Sequence, residues 1–150
     1  MNFEQHIATL EQLPVIREYA IRRGQSIVCT AGCFEILHIG HIRYLEKAAG
    51  YGNILVVGIV DDATHLSIKH RESRLAQESR LATIASLRVV GHAVLFSTAY
   101  DLLWPLRPDV IVASQTSPED RVAEKRRLAG ELGATFFALP SQAEVHSSKI

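Results

Sequence analysis

Two histidines, His38 and His41, are the side chains of this chain best placed for chemistry. They follow an apolar run at 26–29 and precede a helical pattern, so residues 30–41 are predicted to turn from a first strand into a first helix. Residues three apart share a helix face, and the unpaired N–H groups at a helix N-terminus bind phosphate. Two imidazoles there can donate hydrogen bonds to phosphate oxygens, and a modest rise in their pKa would make them cationic. We therefore predict a phosphate-binding turn; the alternatives are structural histidines or a zinc site, for which no third ligand has suitable spacing.

Basic residues follow the second predicted strand and form the next candidate group. Lys69, Arg74 and Arg80 become functional if their loop folds over the strand ends, because arginine binds phosphate oxygens through two hydrogen bonds. The alternative for such a run is a solvated face, and Arg71 is assigned to it. The two aspartates at 61–62 directly follow the strand, where they either cap the next helix or orient a substrate hydroxyl and help to hold Mg²⁺.

Apolar runs alternate with helical patterns along the chain. The predicted fold class is therefore α/β, a single Rossmann-like, doubly wound domain over residues 1–150 with a parallel sheet. Residues 6–23 have helical spacing, so 1–24 is predicted as a helical lead-in that ends at Gly24. The five strands of the sheet are predicted at 26–30, 54–60, 92–96, 110–112 and 135–138.

Composition argues against several classes of protein. The formal net charge is zero, which disfavours a general nucleic-acid or membrane-surface binder. No apolar run approaches the ~20 residues of a membrane span, and no signal-peptide pattern is present, so a cytoplasmic protein is expected. Cys29 and Cys33 are expected to be reduced thiols, because one pair is a weak metal or disulfide pattern. The chain lacks GxxxxGK[ST], GxGxxG and GxSxG, which disfavours a P-loop kinase, a dinucleotide-dependent dehydrogenase and an α/β-hydrolase.

The stretch 32–41, Gly-Cys-Phe-Glu-Ile-Leu-His-Ile-Gly-His, resembles the signature of the cytidylyltransferase-like nucleotidyltransferases, which carry an HxGH motif. Further segments that resemble the family are 43–49, 58–63, 69–74, 78–80, 108–110 and 146–150. The lead-in before the first strand is most similar to the adenylyltransferase domain of the heptose enzymes. The resemblance implies that a nucleoside triphosphate, with ATP favoured, is joined to a sugar phosphate such as heptose 1-phosphate with release of pyrophosphate. It also implies Mg²⁺ as cofactor, held mainly by the phosphates and not directly by protein side chains.

The resemblance assigns roles to individual residues. The residues implied in catalysis are His38, His41 and Lys69. The residues implied at the acceptor are Glu35, Asp62 and Arg74. The residues implied at the nucleotide are Thr30, Gly32, Cys33, Phe34, Gly40, Arg80, Val112, Ala113, Ser147 and Ser148. The expected partners are the nucleoside triphosphate and a phosphorylated sugar or polyol, without nucleic acid or membrane. Dimers are common in the resembling family, so a homodimer is possible, but the sequence does not give the oligomeric state.

Departures from the family's pattern keep other functions open. Ala31 and Glu35 stand where the family usually has Asn and Asp, His70 stands where it has Gly, and residues 113–116 replace a Lys-Gly-Gly-Asp stretch. One alternative is a CTP-dependent glycerol-3-phosphate or ethanolamine-phosphate cytidylyltransferase. A second alternative is a catalytically weak homologue that binds nucleotide.

Overall fold

The computed structural model describes residues 2–140, which form a parallel β-sheet with helices on both faces. The strands are β1 (Ile7–Ala8), β2 (Ile27–Gly32), β3 (Ile54–Val60), β4 (His92–Phe96), β5 (Val110–Ser114) and β6 (Thr135–Leu139). The α-helices are α1 (Leu13–Arg22), α2 (Ile39–Ala49), α3 (Asp62–Lys69), α4 (Gln77–Ala85), α5 (Ala99–Leu106) and α6 (Glu119–Leu132). Short 3₁₀ helices at Phe3–His6 and Leu10–Gln12 flank β1. None of these helices combines the length and the apolar character needed to cross a bilayer.

The strand order is β1-β4-β3-β2-β5-β6, with every neighbouring pair parallel. The Rossmann-like α/β prediction is confirmed, but the sheet has six strands instead of five. The additional strand, β1, lies in the segment predicted as helical, where Ile7, Leu10 and Leu13 are spaced as on a helix. It pairs with β4, Ile7 opposite Ala93. Local spacing cannot reveal a pairing between segments so far apart in the chain, and this tertiary pairing overrides the helical pattern.

The sheet separates two hydrophobic cores, and β3 shows how. Val56 and Val60 belong to the core that includes α1, α5 and α6, whereas Leu55 and Val57 belong to the core that includes α2 and α4. This alternation follows from the period of two along a strand. Because both faces of β3 are buried, its sequence is a continuous apolar run, as expected for a central parallel strand.

β2 is the point at which the order of the strands reverses. β3 lies on one side of it and β5 on the other. The helices that follow these strands pack on opposite faces, since Leu45 of α2 belongs to one core and Leu128 of α6 to the other. Open α/β sheets form a ligand-binding crevice outside the carboxyl ends of the strands at such a reversal. The predicted phosphate-binding turn therefore lies at the position where the topology creates a binding site.

Candidate active site

The two histidines form a stacked pair at the start of α2. His38 is the N-cap residue, and its Nδ1 accepts a hydrogen bond from the Gly40 N–H at 3.0 Å. The His38 N–H in turn donates to Nδ1 of His41 at 3.3 Å, and the two ring centroids lie 3.9 Å apart. This reciprocal arrangement is a capping box in which the imidazole nitrogens are the hydrogen-bond acceptors. Because both Nδ1 atoms accept hydrogen bonds, each neutral ring carries its proton on Nε2.

The surroundings of His41 shift its pKa in the free protein. Burial lowers its pKa below the ordinary value of 6.5, and the neighbouring His38 lowers it further, against the opposing effect of a hydrogen bond with the Ile36 backbone. In the free protein the surroundings of His41 therefore favour its neutral form. At neutral pH this side chain is uncharged and contributes an N–H donor, which gains charge only if a bound anion raises its pKa.

A cleft of about 450 Å³ lies outside the carboxyl end of β2. The residues singled out in the sequence that line it are Gly32, Cys33, Phe34, Glu35, His38, Gly40, His41 and Lys69. Those that do not line it are Thr30, Asp62, Arg74, Arg80, Val112 and Ala113. Ser147 and Ser148 lie outside the described residues. The cleft is thus lined by all three residues implied in catalysis and by most of the predicted site residues in the turn. Of the predicted site residues elsewhere within residues 2–140, only Lys69 lines it.

The turn after β2 has a constrained backbone at Gly32 and Phe34. Phe34 adopts a left-handed backbone conformation (φ +48°), and a Cβ added at Gly32 would lie only 3.0 Å from its ring. Thr30 is buried, and its Oγ1 lies 2.7 Å from the hydroxyl of Tyr44. Burial raises the pKa of Tyr44 to about 12, and this residue does line the cleft. Thr30 therefore reaches the site through Tyr44 instead of touching the cavity itself.

Arg80 is buried beside the cleft and makes hydrogen bonds to several loops. Its side chain is 1% exposed, with Nη1 donating to the carbonyl oxygens of Cys33 (2.8 Å) and Val60 (2.7 Å). Nε donates to the Leu75 carbonyl at 3.2 Å, and Nη2 donates to Asp62 Oδ1 at 2.8 Å. A contact between Arg80 and triphosphate oxygens, as predicted, would require some of these hydrogen bonds to break. In the free protein Arg80 ties the phosphate-binding turn to β3 and to the loop before α4.

The two aspartates after β3 stabilise helix ends. Asp61 Oδ1 accepts from the Thr64 N–H at 2.8 Å and caps α3, which agrees with the capping interpretation. Asp62 Oδ2 accepts from the Gln77 N–H at 3.1 Å at the start of α4. Its ion pair with Arg80 is the main cause that lowers the pKa of Asp62. Both carboxylates are therefore engaged within the protein.

Glu35 holds the basic loop against the turn in an arrangement that we call the Glu35 clamp. Arg71 donates from Nη1 to Oε2 at 2.7 Å and from Nη2 to Oε1 at 2.8 Å, and the Arg74 N–H donates to Oε2 at 2.8 Å. Behind them, Nε2 of the fully buried His65 lies 3.9 Å from Oε2. The hydrogen bond from Arg71 is the largest cause that lowers the pKa of Glu35 to about 2. Arg71, assigned to a solvated face in the sequence, is about half exposed and also lines the cleft.

The loop after β5 and α6 supply a wall of the cleft. The side chains that line it there include Ser114, Thr116, Ser117, Arg121, Glu124 and Lys125. The hydroxyls of Ser114 and Thr116 lie 2.7 Å apart, within the stretch 113–116 singled out as departing from the family. Nothing in the sequence assigned Arg121 or Lys125. Their spacing of four places them on one helix face, but a charged amphipathic helix is equally typical of a solvated surface.

Acidic and metal-binding side chains are sparse at the site. Among residues 2–140 no group of three or more His, Cys, Asp or Glu side chains is arranged to hold a metal ion. The carboxylates that line the cleft are Glu35, already engaged by Arg71, and Glu124. The chemistry that this arrangement can perform is therefore binding and charge neutralisation of anions by N–H donors and cations.

Known proteins resemble this chain over the region that contains the site. Residues 29–150 match the sequence model of the family described as cytidylyltransferase-like. The chain belongs to this family. Its HxGH motif is the stacked pair His38 and His41 at the N-terminus of α2, and the family assigns the domain to the nucleotidyltransferases.

Curated relatives include proteins described as bifunctional protein HldE. The protein from a Nitratiruptor species is 38% identical over 112 residues, which are 73% of this chain and 24% of the relative. The protein from Pseudomonas paraeruginosa is 41% identical over 112 residues, with the same two coverages. The chain thus spans about a quarter of the length of these relatives.

Solved structures share the cytidylyltransferase-like fold. A lipopolysaccharide core biosynthesis protein from Thermoplasma volcanium has a TM-score of 0.68 and 31% identity, and the match covers 79% of this chain and 97% of that one. A pantoate-β-alanine ligase from Francisella tularensis has a TM-score of 0.67 at 17% identity, covering 89% of this chain and 66% of that one. The second likeness concerns the fold alone.

Proposed function

We propose that this domain is a nucleotidyltransferase that joins ATP to a sugar phosphate of the heptose 1-phosphate type and releases pyrophosphate. The observation that supports it best is the stacked histidine pair at the N-terminus of α2, which lines one cleft together with Lys69. The similarity to HldE proteins favours a heptose phosphate and ATP among the substrates of the family. The structure neighbour described as a lipopolysaccharide core biosynthesis protein is consistent with the same class of product.

The proposed reaction needs positioning and charge neutralisation more than a covalent intermediate. An oxygen of the acceptor phosphate attacks the α-phosphate of the triphosphate, and the bond to the leaving pyrophosphate breaks in line with the attack. His38 and His41 donate from Nε2 to phosphate oxygens, where negative charge grows in the transition state. Backbone N–H groups near Gly32 and at the start of α2 add further donors. Lys69 neutralises charge at the reacting phosphate, from its place at the end of α3.

Mg²⁺ is proposed as the cofactor, and the donor set of the cleft fits an ion that arrives with the triphosphate. Magnesium keeps several waters and is commonly held by one or two carboxylates together with substrate phosphates. Glu124 is the carboxylate of the cleft outside the Glu35 clamp, and the hydroxyls of Ser114 and Thr116 lie in the same cavity. Bound there, the ion would supply neutralisation of phosphate charge.

Glu35, Asp62 and Arg74 need a different description from the one that the family resemblance implies. The Glu35 carboxylate is engaged by Arg71 and by the Arg74 backbone N–H, and the Asp62 carboxylate by Arg80. We propose that Glu35 and Arg74 act on the acceptor through the Glu35 clamp, which fixes the loop directly after Lys69. Asp62 then acts through Arg80, which supports the turn.

The decisive experiment supplies the chain with ATP or CTP, each with heptose 1-phosphate or glycerol 3-phosphate, and follows pyrophosphate. Release with ATP and heptose 1-phosphate is expected. Release with CTP and glycerol 3-phosphate would support the cytidylyltransferase alternative. Nucleotide binding in a calorimeter without release from any acceptor would replace the proposal by that of a nucleotide-binding homologue.

A further inference from the structure

We propose that Lys125 binds a phosphate group of a substrate, and that the free protein holds this lysine without a partner for that purpose. The identity of the ligand rests on the proposed function, whereas the unpaired state of the lysine is a feature of the fold. Lys125 lies on α6, and nothing in the sequence motif or in the family resemblance assigns it a role.

The position of Lys125 is at the apolar floor of the cleft. The residues that line both the cleft and a small cavity beside it are Ala31, Phe96, Ala99 and Lys125. The same small cavity is lined by Cys29, whose thiol is buried. The side chain of Lys125 therefore runs along apolar surface and can present its ammonium group to the cleft.

Lys125 has no internal partner that compensates its charge. Within residues 2–140 it forms neither an ion pair nor a side-chain hydrogen bond. The charged neighbours on its own helix are Arg121 and Glu124, and the buried Cys29 and half-buried Cys33 face it from the sheet and the turn. Lys125 is half-buried, and burial is the largest cause that lowers its pKa, with Cys29 and Glu124 acting in the opposite direction. A cation placed in apolar surroundings without a partner is costly unless a ligand completes the site.

The cations that line the cleft differ in whether a neighbouring carboxylate neutralises them, and this difference supports a role for Lys125 in binding an anion. The lysine and arginine side chains that line it are Lys69, Arg71, Arg121 and Lys125. Arg71 is neutralised by Glu35, and His41 is uncharged at neutral pH because its pKa is lowered. A substrate that carries several negative charges must therefore meet the remaining cations. α6 and α2 pack on opposite faces of the sheet, so Lys125 can contact a phosphate from the side opposite the histidines.

The test compares Lys125→Met with Lys125→Arg, which keeps the charge, and with Lys47→Met at an exposed lysine of α2 that does not line the cleft. Calorimetry with inorganic pyrophosphate, ATP and a sugar 1-phosphate measures binding without requiring turnover. We expect Lys125→Met to bind at least one of these roughly tenfold more weakly, as for the loss of one charge-assisted hydrogen bond. Lys125→Arg should retain most of the affinity, and Lys47→Met all of it. Whether ATP or the sugar phosphate loses affinity identifies which substrate supplies the phosphate.

Thermal unfolding of the free variants provides the second readout. Removal of an uncompensated cation from apolar surroundings should leave Lys125→Met as stable as the wild type or more stable. Unchanged affinity of Lys125→Met for all three ligands would overturn the proposal, and so would a large loss of its stability, since that would show an internal role for the lysine. Failure of pyrophosphate release with every substrate would overturn the proposed function and leave these binding results decisive on their own.

Discussion

At the scale of single residues, the histidine pair combines structural capping with the proposed role in catalysis. Each Nδ1 accepts a backbone N–H, so the rings are fixed in one tautomer with Nε2–H as donor. Histidine is suited to both roles because one ring nitrogen can accept the capping hydrogen bond while the other donates to a ligand. A substitution that keeps the side-chain acceptor of the helix cap but removes the Nε2–H donor should therefore lower turnover without lowering stability.

The first prediction concerns that separation. Replacement of His38 or His41 by alanine should lower turnover by about 10²-fold or more, if each contributes as one oxyanion donor does. His38→Asn keeps an N-cap acceptor and should restore stability but not turnover. The measurements are pyrophosphate release and urea unfolding, with His70→Asn as a control outside the pair, since Asn tolerates its left-handed conformation. Near-normal turnover of His41→Ala would remove this residue from the mechanism.

At the scale of secondary-structure elements, loops from several strands and helices are joined by a few charged side chains. The Glu35 clamp connects the turn after β2 to the loop after α3, and Arg80 connects α4 to β3 and to the same turn. We propose that these contacts hold the loop after α3, and with it Lys69, in position at the cleft. Two predictions follow at this scale.

Glu35→Gln should impair turnover through the loop that carries Lys69. Loss of the carboxylate charge weakens the forked pair with Arg71, so the loop is held less firmly and Lys69 is misplaced. If Glu35 acts through Arg71, then Glu35→Gln and Arg71→Met should affect kcat/KM non-additively in a double-mutant cycle. The matched control is the exposed pair Arg127 and Glu131 of α6, whose cycle should show no effect on kcat/KM. Strict additivity at Glu35 and Arg71 would show that the clamp does not position the loop.

Arg80→Met should destabilise the protein by about 1–3 kcal/mol for each buried acceptor left without a donor, whereas the half-exposed Asp62 carboxylate can return to water. The carbonyls of Cys33 and Val60 would lose their donor at the same time. Urea unfolding measures the loss, and Arg88→Met at an exposed arginine is the control. A stable Arg80→Met protein with weakened triphosphate binding would instead support the direct contact implied by the family.

What the sequence reveals about these elements depends on whether the deciding interaction is local. β3 and β4 were predicted with their observed bounds, because a short run of mainly apolar residues, rich in β-branched side chains in β3, is a local property. The turn at 30–41 was predicted because strand, glycine, histidines and helix are consecutive. The burial of Arg80 and the contact of Arg71 with Glu35 could not be predicted from the sequence, since tertiary pairing with Asp62 and with Glu35 decides them.

At the scale of the whole molecule, protonation couples the site to global stability. A carboxyl group with a lowered pKa stabilises the folded state above its ordinary value, and this contribution is lost as the pH falls from there towards the lowered value. For Glu35 that interval runs from 4.5 to about 2. A histidine with a lowered pKa, such as His41, destabilises the folded state as the pH falls below 6.5, because the unfolded chain binds the proton more readily.

Acidification should therefore weaken the fold in two successive steps. Urea midpoints measured between about pH 3 and pH 8 should fall first below 6.5 and again below 4.5. His41→Gln should reduce the first step without abolishing it, because burial also lowers the pKa of His92. Glu35→Gln should reduce the second step, to which Asp61 and Asp62 also contribute through their lowered pKa values. A wild-type profile in both variants would contradict these assignments.

The short strand β1 has a consequence for handling the protein. By pairing with Ala93 and Val94, it covers backbone groups of β4 that would otherwise form an open edge of the sheet. Exposed edges are templates for the addition of strands from other molecules. Removal of residues 1–9, of which the described residues 2–9 do not line the cleft, should therefore leave His38 and His41 in place and yet produce a protein that aggregates on concentration.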